Sequence, residues 1–214
     1  MFSNNIWRAF SNYVGVGKGS KEQNLDTTAL LGEFINSRAS HVAQTSLYGY
    51  MKTRAGTRYP DLFENPAILT SINIAKWQIW LACLSDLTVY AGVLIRNRTE
   101  VPQAQIKQLL LDAVDPVIQQ VGTPGDAGDD YPATVLKVRQ RIADCDLEAL
   151  QDDGSAFTES PSALVYWSPI ADELKNRDVE IVRNSVRFRW QEIRRSMRKL
   201  LQADILVNAA NGRA

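Results

Sequence analysis

The chain has one histidine and two cysteines in 214 residues, and its 24 basic side chains are matched by 24 acidic ones. Each shortage closes off a class of function. Cys83 and Cys145 form no paired motif and His41 stands alone, so metal ligands at binding spacing are missing. No metal or other cofactor is expected. Both cysteines lie on apolar lines of helical patterns, which reads as buried free thiols and favours a reducing compartment over a disulfide framework. Balanced charge argues against a dedicated duplex-DNA binder, which carries a clear positive excess. No G-x-S-x-G elbow occurs, and a helical pattern offers no strand-to-helix turn to hold one. Gly15-Val16-Gly17-Lys18-Gly19-Ser20 breaks the Walker spacing at Gly19 and follows no strand, so it reads as a linker. The N-terminus has no uninterrupted apolar core or small-residue cleavage site, and no secretory signal is expected. Internal repeats are absent.

What is present is a large apolar fraction, 45% with five tryptophans, ample for a sizeable core. Its arrangement is helical throughout. A first helix is expected from about Asp26, as N-cap, to Ala55, with Leu30, Leu31, Phe34, Ile35, Val42 and Tyr48 on its apolar side. Ala39, Ala43, Ser46 and Gly49 would let another helix come close. The segment RAGTRYP breaks it. Asn65 and Pro66 start a second helix, with Pro66 where a missing donor costs nothing. That helix extends to about Ile95 and is apolar nearly all round from Trp77. Its length would suit a membrane span. Gln78 and Asp86 oppose this, since a central Asp costs about 2.5–3.5 kcal/mol on insertion. The central helix of a globular bundle is the better reading, and Asp86 must then be paired.

Pro102 opens a third helix, in which Pro116 predicts a kink or break. Gly122 to Pro132 reads as an acidic loop, followed by a helix carrying Val135, Val138, Ile142 and Cys145. Leu164 to Trp167 reads as a short, extended apolar segment, and a short helix from Pro169 to Lys175 leads into the last one. The expected fold is all-α, an irregular bundle of five to seven helices ending in a long basic helix. Residues 1–20 read as an amphipathic arm with a Gly-rich linker, and 21–214 as a single helical domain. Phe2, Ile6, Trp7 and Phe10 would give the arm a side for its own core, a partner or an anionic membrane surface.

The last helix, Asp178 to about Val207, carries two stripes. Val179, Val182, Val186, Trp190, Ile193, Met197 and Leu200 recur at three- and four-residue steps. At about 100° per residue, Arg183, Arg187, Arg194 and Arg198 line up on a neighbouring face roughly 60° wide. Such a file suits carboxylates or phosphates. It can be a solvated face, a partner for the acidic stretch Asp112 to Glu159 in the same chain or in an oligomer, or a docking surface for an acidic protein, lipid headgroups or RNA. Phe188, opposite the apolar stripe, suggests a helix covered on two sides. Reversing Arg187 and Arg194 to Glu should leave the fold intact, since both flank the stripe. A second candidate is a groove beside RAGTRYP formed by Arg38, His41, Tyr48, Arg54 and Arg58. His41 itself reads as a core or boundary histidine, one heptad from Phe34 and Tyr48.

The stretch SRASHVAQTSLYGYMKTRAGTRYPDLF, followed by SINIAKWQIWLACLSDL, resembles a group of uncharacterised small helical proteins of alphaproteobacteria, with an echo in RNSVRFRWQEIRR. That resemblance implies a bacterial protein on the cytoplasmic side. Some members carry an esterase label. The order VAQ…LYGYMK…YPDLF before an apolar helix is similar in pattern to the helical chaperones of ubiquinol–cytochrome c reductase assembly. The expectation is a non-enzymatic adaptor or assembly factor with a protein partner, cytoplasmic and peripheral to the inner membrane. A small serine hydrolase, with Ser40 or Ser46 near His41, and an RNA-phosphate binder are the alternatives.

Overall fold

The computed structural model describes residues 23–210 and 212, which form an all-α bundle. The arm residues Phe2, Ile6, Trp7 and Phe10 lie outside the described residues. In chain order the helices are α1 (Thr28–Ala55), α2 (Pro66–Arg98), α3 (Gln103–Val121), α4 (Tyr131–Asp144), α5 (Glu159–Trp167), α6 (Asp172–Leu200) and α7 (Ala203–Ala210). One core cluster joins buried side chains from all of them.

The start of α1 falls one residue later than expected. Thr27, with extended backbone, is the cap, and its hydroxyl accepts the Leu30 N–H at 3.2 Å. The helix ends at Gly56, whose φ of 55° lies in the left-handed region that glycine enters without strain. Two 3₁₀ turns, Gly56–Arg58 and Pro60–Phe63, then carry the chain to Asn65. The Asn65 side chain accepts the N–H groups of Ala67 and Ile68, and Pro66 follows at the first helical position as expected.

Helix α2 is the axis of the fold. Every residue from Ala75 to Ile95 is buried, because α1, α3, α4 and α5 all pack on it. It is long and apolar enough to cross a membrane, but 94% of its most apolar window lies inside the bundle. Asp86, fully buried, is paired as the sequence requires. Its carboxylate accepts from Arg141 of α4 at 2.8 Å, from the backbone N–H groups of Glu159 and Ser160 at 3.1 and 2.8 Å, and from the Ser160 hydroxyl at 2.6 Å. Ser160 in turn accepts the indole N–H of Trp190 at 3.0 Å. One carboxylate on α2 thus ties α4, α5 and α6 together. Burial pushes the Asp86 carboxyl upward, while Arg141 and the donors of Ser160 and Glu159 pull it back.

Four sequence expectations are corrected. Pro116 does not break α3, which runs from Gln103 to Val121; both Pro116 and Asp112, whose carbonyl the ring faces, are exposed, so water can satisfy the lost bond. Leu164 to Trp167 is not extended but is the end of α5. The separate helix at Pro169 to Lys175 does not exist: α6 begins at Asp172 and continues unbroken to Leu200. It also does not reach Val207. Leu25 interrupts it, taking the Leu200 carbonyl at 2.9 Å and receiving the Gln202 N–H at 3.1 Å, and α7 starts afresh at Ala203.

Candidate functional site

The inward side of α6 is Val182, Val186, Trp190, Ile193, Met197 and Leu200, all buried as the periodicity implies. Val179 is only half-buried. Asp178 beside it is buried instead, held by the Tyr50 hydroxyl at 2.9 Å and by the Arg54 guanidinium. Arg54 therefore fastens α1 to α6.

The arginine file divides along its length. Arg198 places Nε 2.9 Å from both carboxylate oxygens of Asp152. Arg194 lies 5.4 Å from the Tyr90 ring centroid and donates to the Asp152 carbonyl at 3.3 Å. Tyr90 closes the set by donating to the Asp152 carboxylate at 2.5 Å. This half of the file is an internal partner of the acidic middle region. Reversing Arg194 would therefore remove contacts to Tyr90 and Asp152, which favours the reading of these two arginines as internal partners over the expectation of a largely intact fold. The other half is different: among the described residues the polar partner of Arg183 is Glu180, at 3.5 Å, and that of Arg187 is the Asn184 side chain, at 3.4 Å.

On the outward side of α6, where the sequence singled out Phe188, Ile181 joins it. Ile181 is 74% and Phe188 71% exposed, so no described residue covers Phe188. Seven residues apart, they share one face and stand about 10.5 Å apart along the axis. Arg177, Arg187 and Arg195 are exposed around them and form no ion pair among the described residues. The signal for Ile181 was its heptad spacing from Phe188, hidden because both sit among charges.

Next to this face a groove of about 830 Å³ runs between α1 and α6, lined by Arg38, His41, Phe188, Arg189, Glu192 and Arg195 among others. Three arginines against one glutamate make it cationic. The Arg189 Nε is buried without a hydrogen-bond acceptor among the described residues. Arg38 also covers the Phe34 ring, 5.2 Å from its centroid. The five groove residues expected from sequence do not stay together. Arg38 and His41 line this groove; Tyr48 stacks on Phe63 with centroids 6.0 Å apart, and Arg58 is exposed beside Asp61.

His41 is exposed at the edge of this groove, so of the two readings, core or boundary, the boundary one fits. Partial burial, then the Arg38 and Arg189 charges, lower its pKa below 6.5. Because folding disfavours the protonated ring, His41 contributes no penalty above the unfolded value and an increasing one as pH falls from 6.5 through the folded pKa. A proton-NMR titration should place its midpoint below 6.5, and Arg38→Gln should raise it; an unshifted midpoint in both proteins would contradict this groove's polarity. Ser40 is fully buried and donates to Asn36 at 3.4 Å. No hydrogen bond links His41 to a serine among the described residues, so the hydrolase alternative gains no geometric support here.

No protein-family model matches this chain, and no curated protein or solved structure matches it either.

Proposed function

We propose that the protein is a non-enzymatic helical adaptor that docks an acidic, amphipathic segment of a protein partner along the outer face of α6. The observation that carries this is the exposed Ile181–Phe188 pair set among Arg177, Arg187 and Arg195. An exposed aromatic anchor with arginines near it, Glu180 and Glu192 also lying on this helix, is the composition of an interface centre, where a few such side chains supply most of the affinity. A partner helix would present two apolar residues a heptad apart, flanked by carboxylates. The cationic groove lies alongside and would take an acidic side chain at Arg189 and His41. Uptake of a carboxylate there raises the pKa of His41, so docking should draw in a proton at pH values below the ordinary histidine range. An assembly role at the inner membrane belongs to the same reading, with an anionic lipid surface as the competing partner.

The test is a photo-crosslinking residue at Asn184 in the full chain, expressed in its native cells. The expected product is a crosslink to an acid-rich peptide. Phe188→Ser, and separately the pair Arg187→Glu and Arg195→Glu, should each reduce its yield, with roughly 2 kcal/mol or more lost for an aromatic anchor. All are exposed, so thermal unfolding should hardly move. Yields indifferent to both changes would end the proposal. Binding to anionic vesicles that disappears with the charge reversals, without an acid-rich crosslink, would assign the face to a membrane instead.

A further inference from the structure

Many arginines of the bundle end on an oxygen of another segment. Arg54, Arg139, Arg141 and Arg198 hold carboxylates, and Arg96 and Arg98 hold backbone carbonyls. The groove between α1 and α6 breaks that pattern. Arg38, Arg189 and Arg195 line it, and none of the three has an ion-pair partner among the described residues. Glu192 is the carboxylate in the same lining. Three guanidinium charges less one carboxylate leave two positive charges, with His41 neutral.

These groups surround one spot. Arg38 and His41 lie a turn apart on α1, and Arg189, Glu192 and Arg195 follow one another at single turns on α6. His41 feels the charges of Arg38, Arg189 and Glu192 together. The Arg189 Nε is enclosed and out of a ligand's reach, whereas its two terminal nitrogens are not. Nη2 lies beside Gly49 of α1, 3.5 Å from where a Cβ would stand. Phe188 lines the same groove, which follows α6 from Ser185 to Ser196, roughly 16 Å of helix. Anion contact and apolar contact are therefore continuous along it, which suits a peptide bearing both.

One glutamate side chain cancels half of the groove's charge. A phosphate monoester brings about −1.5 to −2 at pH 7, with three acceptor oxygens on a single atom, enough for guanidinium groups from both helices. We propose that the acidic residue taken up here is a phosphorylated side chain of the partner segment, so that phosphorylation of the partner turns docking on. Such selection rests on docking at the α6 face.

The probe is an alanine-based helical peptide with two leucines a heptad apart, glutamates beside them, and one variable position a turn beyond the second leucine. That position carries serine, phosphoserine or two adjacent glutamates, the last matching the charge of the phosphate. In a second series it precedes the first leucine, to cover both orientations on α6. Fluorescence anisotropy with the full chain should show the phosphoserine form of one series binding about tenfold more tightly than its serine form, and several-fold more tightly than its glutamate pair. Arg38→Gln combined with Arg189→Lys, which keeps the second charge but loses its fork, should bring the three forms close to parity while the serine form binds as before. Equal affinity of the wild-type protein for phosphoserine and glutamate-pair forms, still sensitive to Phe188→Ser, would overturn the phosphate site and leave the docking face standing. No binding by any form would overturn both. Tighter binding to phosphatidylcholine vesicles containing phosphatidic acid, a phosphate monoester on a lipid, than to either phosphopeptide would give the groove to a headgroup and overturn the proposal as well.

Discussion

Asp86→Ala is expected to lower the unfolding free energy by about 3–5 kcal/mol, the usual cost of breaking a buried ion pair from one side. Three losses combine. Arg141 keeps its charge without the carboxylate, the N–H groups of Glu159 and Ser160 lose their acceptor, and the Ser160 hydroxyl that receives Trp190 loses its orientation. Asp86→Asn should cost less, because an amide oxygen still accepts from the α5 backbone. Pairing Asp86→Leu with Arg141→Met should recover part of the loss, because no buried charge remains unpaired. The α5 N–H groups would still lack a partner, so recovery is incomplete. Urea unfolding of the four proteins measures this directly. A midpoint for Asp86→Ala within the scatter of the wild type would show that the network does not hold α5.

Gly32→Ala is the second large effect, and its sign is contested by two terms. In a helix interior alanine is favoured over glycine by about 1 kcal/mol. At Gly32 an added Cβ falls on the backbone carbonyl oxygen of Ala113, far inside contact, with Val117 behind it. Backbone cannot rotate away as a side chain can. The α1 and α3 helices would have to separate, at a cost of about 1–3 kcal/mol or more for overpacking, which exceeds the propensity gain. Gly92 is the control. Its added Cβ would meet only the ends of the Leu110 and Leu147 side chains, at 2.8 and 3.0 Å. Those can shift, so Gly92→Ala should stay close to the wild type. Equal melting temperatures for the two variants would refute the close approach of α1 to α3.

Where a helix carried its own punctuation, the sequence was enough to place it. Asn65 with Pro66 marked the start of α2, and its apolar run with one central acid announced a buried axis and a paired Asp86. Helix α5 escaped notice because its cap is remote. Thr158 makes no side-chain cap bond, and the acceptor for its first N–H groups is Asp86, 73 residues earlier. The break at Leu201 was equally illegible: no glycine or proline marks it, and the interruption comes from Leu25 at the other end of the described chain. In the candidate site, periodicity placed the four arginines on one flank. It could not reveal that Tyr90 and Asp152 wait beneath Arg194 and Arg198, because that contact joins three distant segments. The uncovered Ile181–Phe188 pair needed the opposite knowledge, that nothing described packs there.

The completely buried middle of α2 also bears on how the protein is made. Its stretch from Ala75 to Ile95 leaves the ribosome long before α4 and α5, which provide much of its cover. At about 5–20 residues per second, the roughly seventy residues to the end of α5 take on the order of 4–14 s. Through that interval a helix with the length and hydropathy of a membrane span has only α1 and then α3 to cover it on the nascent chain. The same feature that centres the finished core makes the half-made chain a target for holding chaperones and for the machinery that recognises apolar helices as they emerge. Asp86, silent in the interior once α5 arrives, is during those seconds the one formal charge between Trp77 and Ile95, and so the residue that opposes insertion into a bilayer.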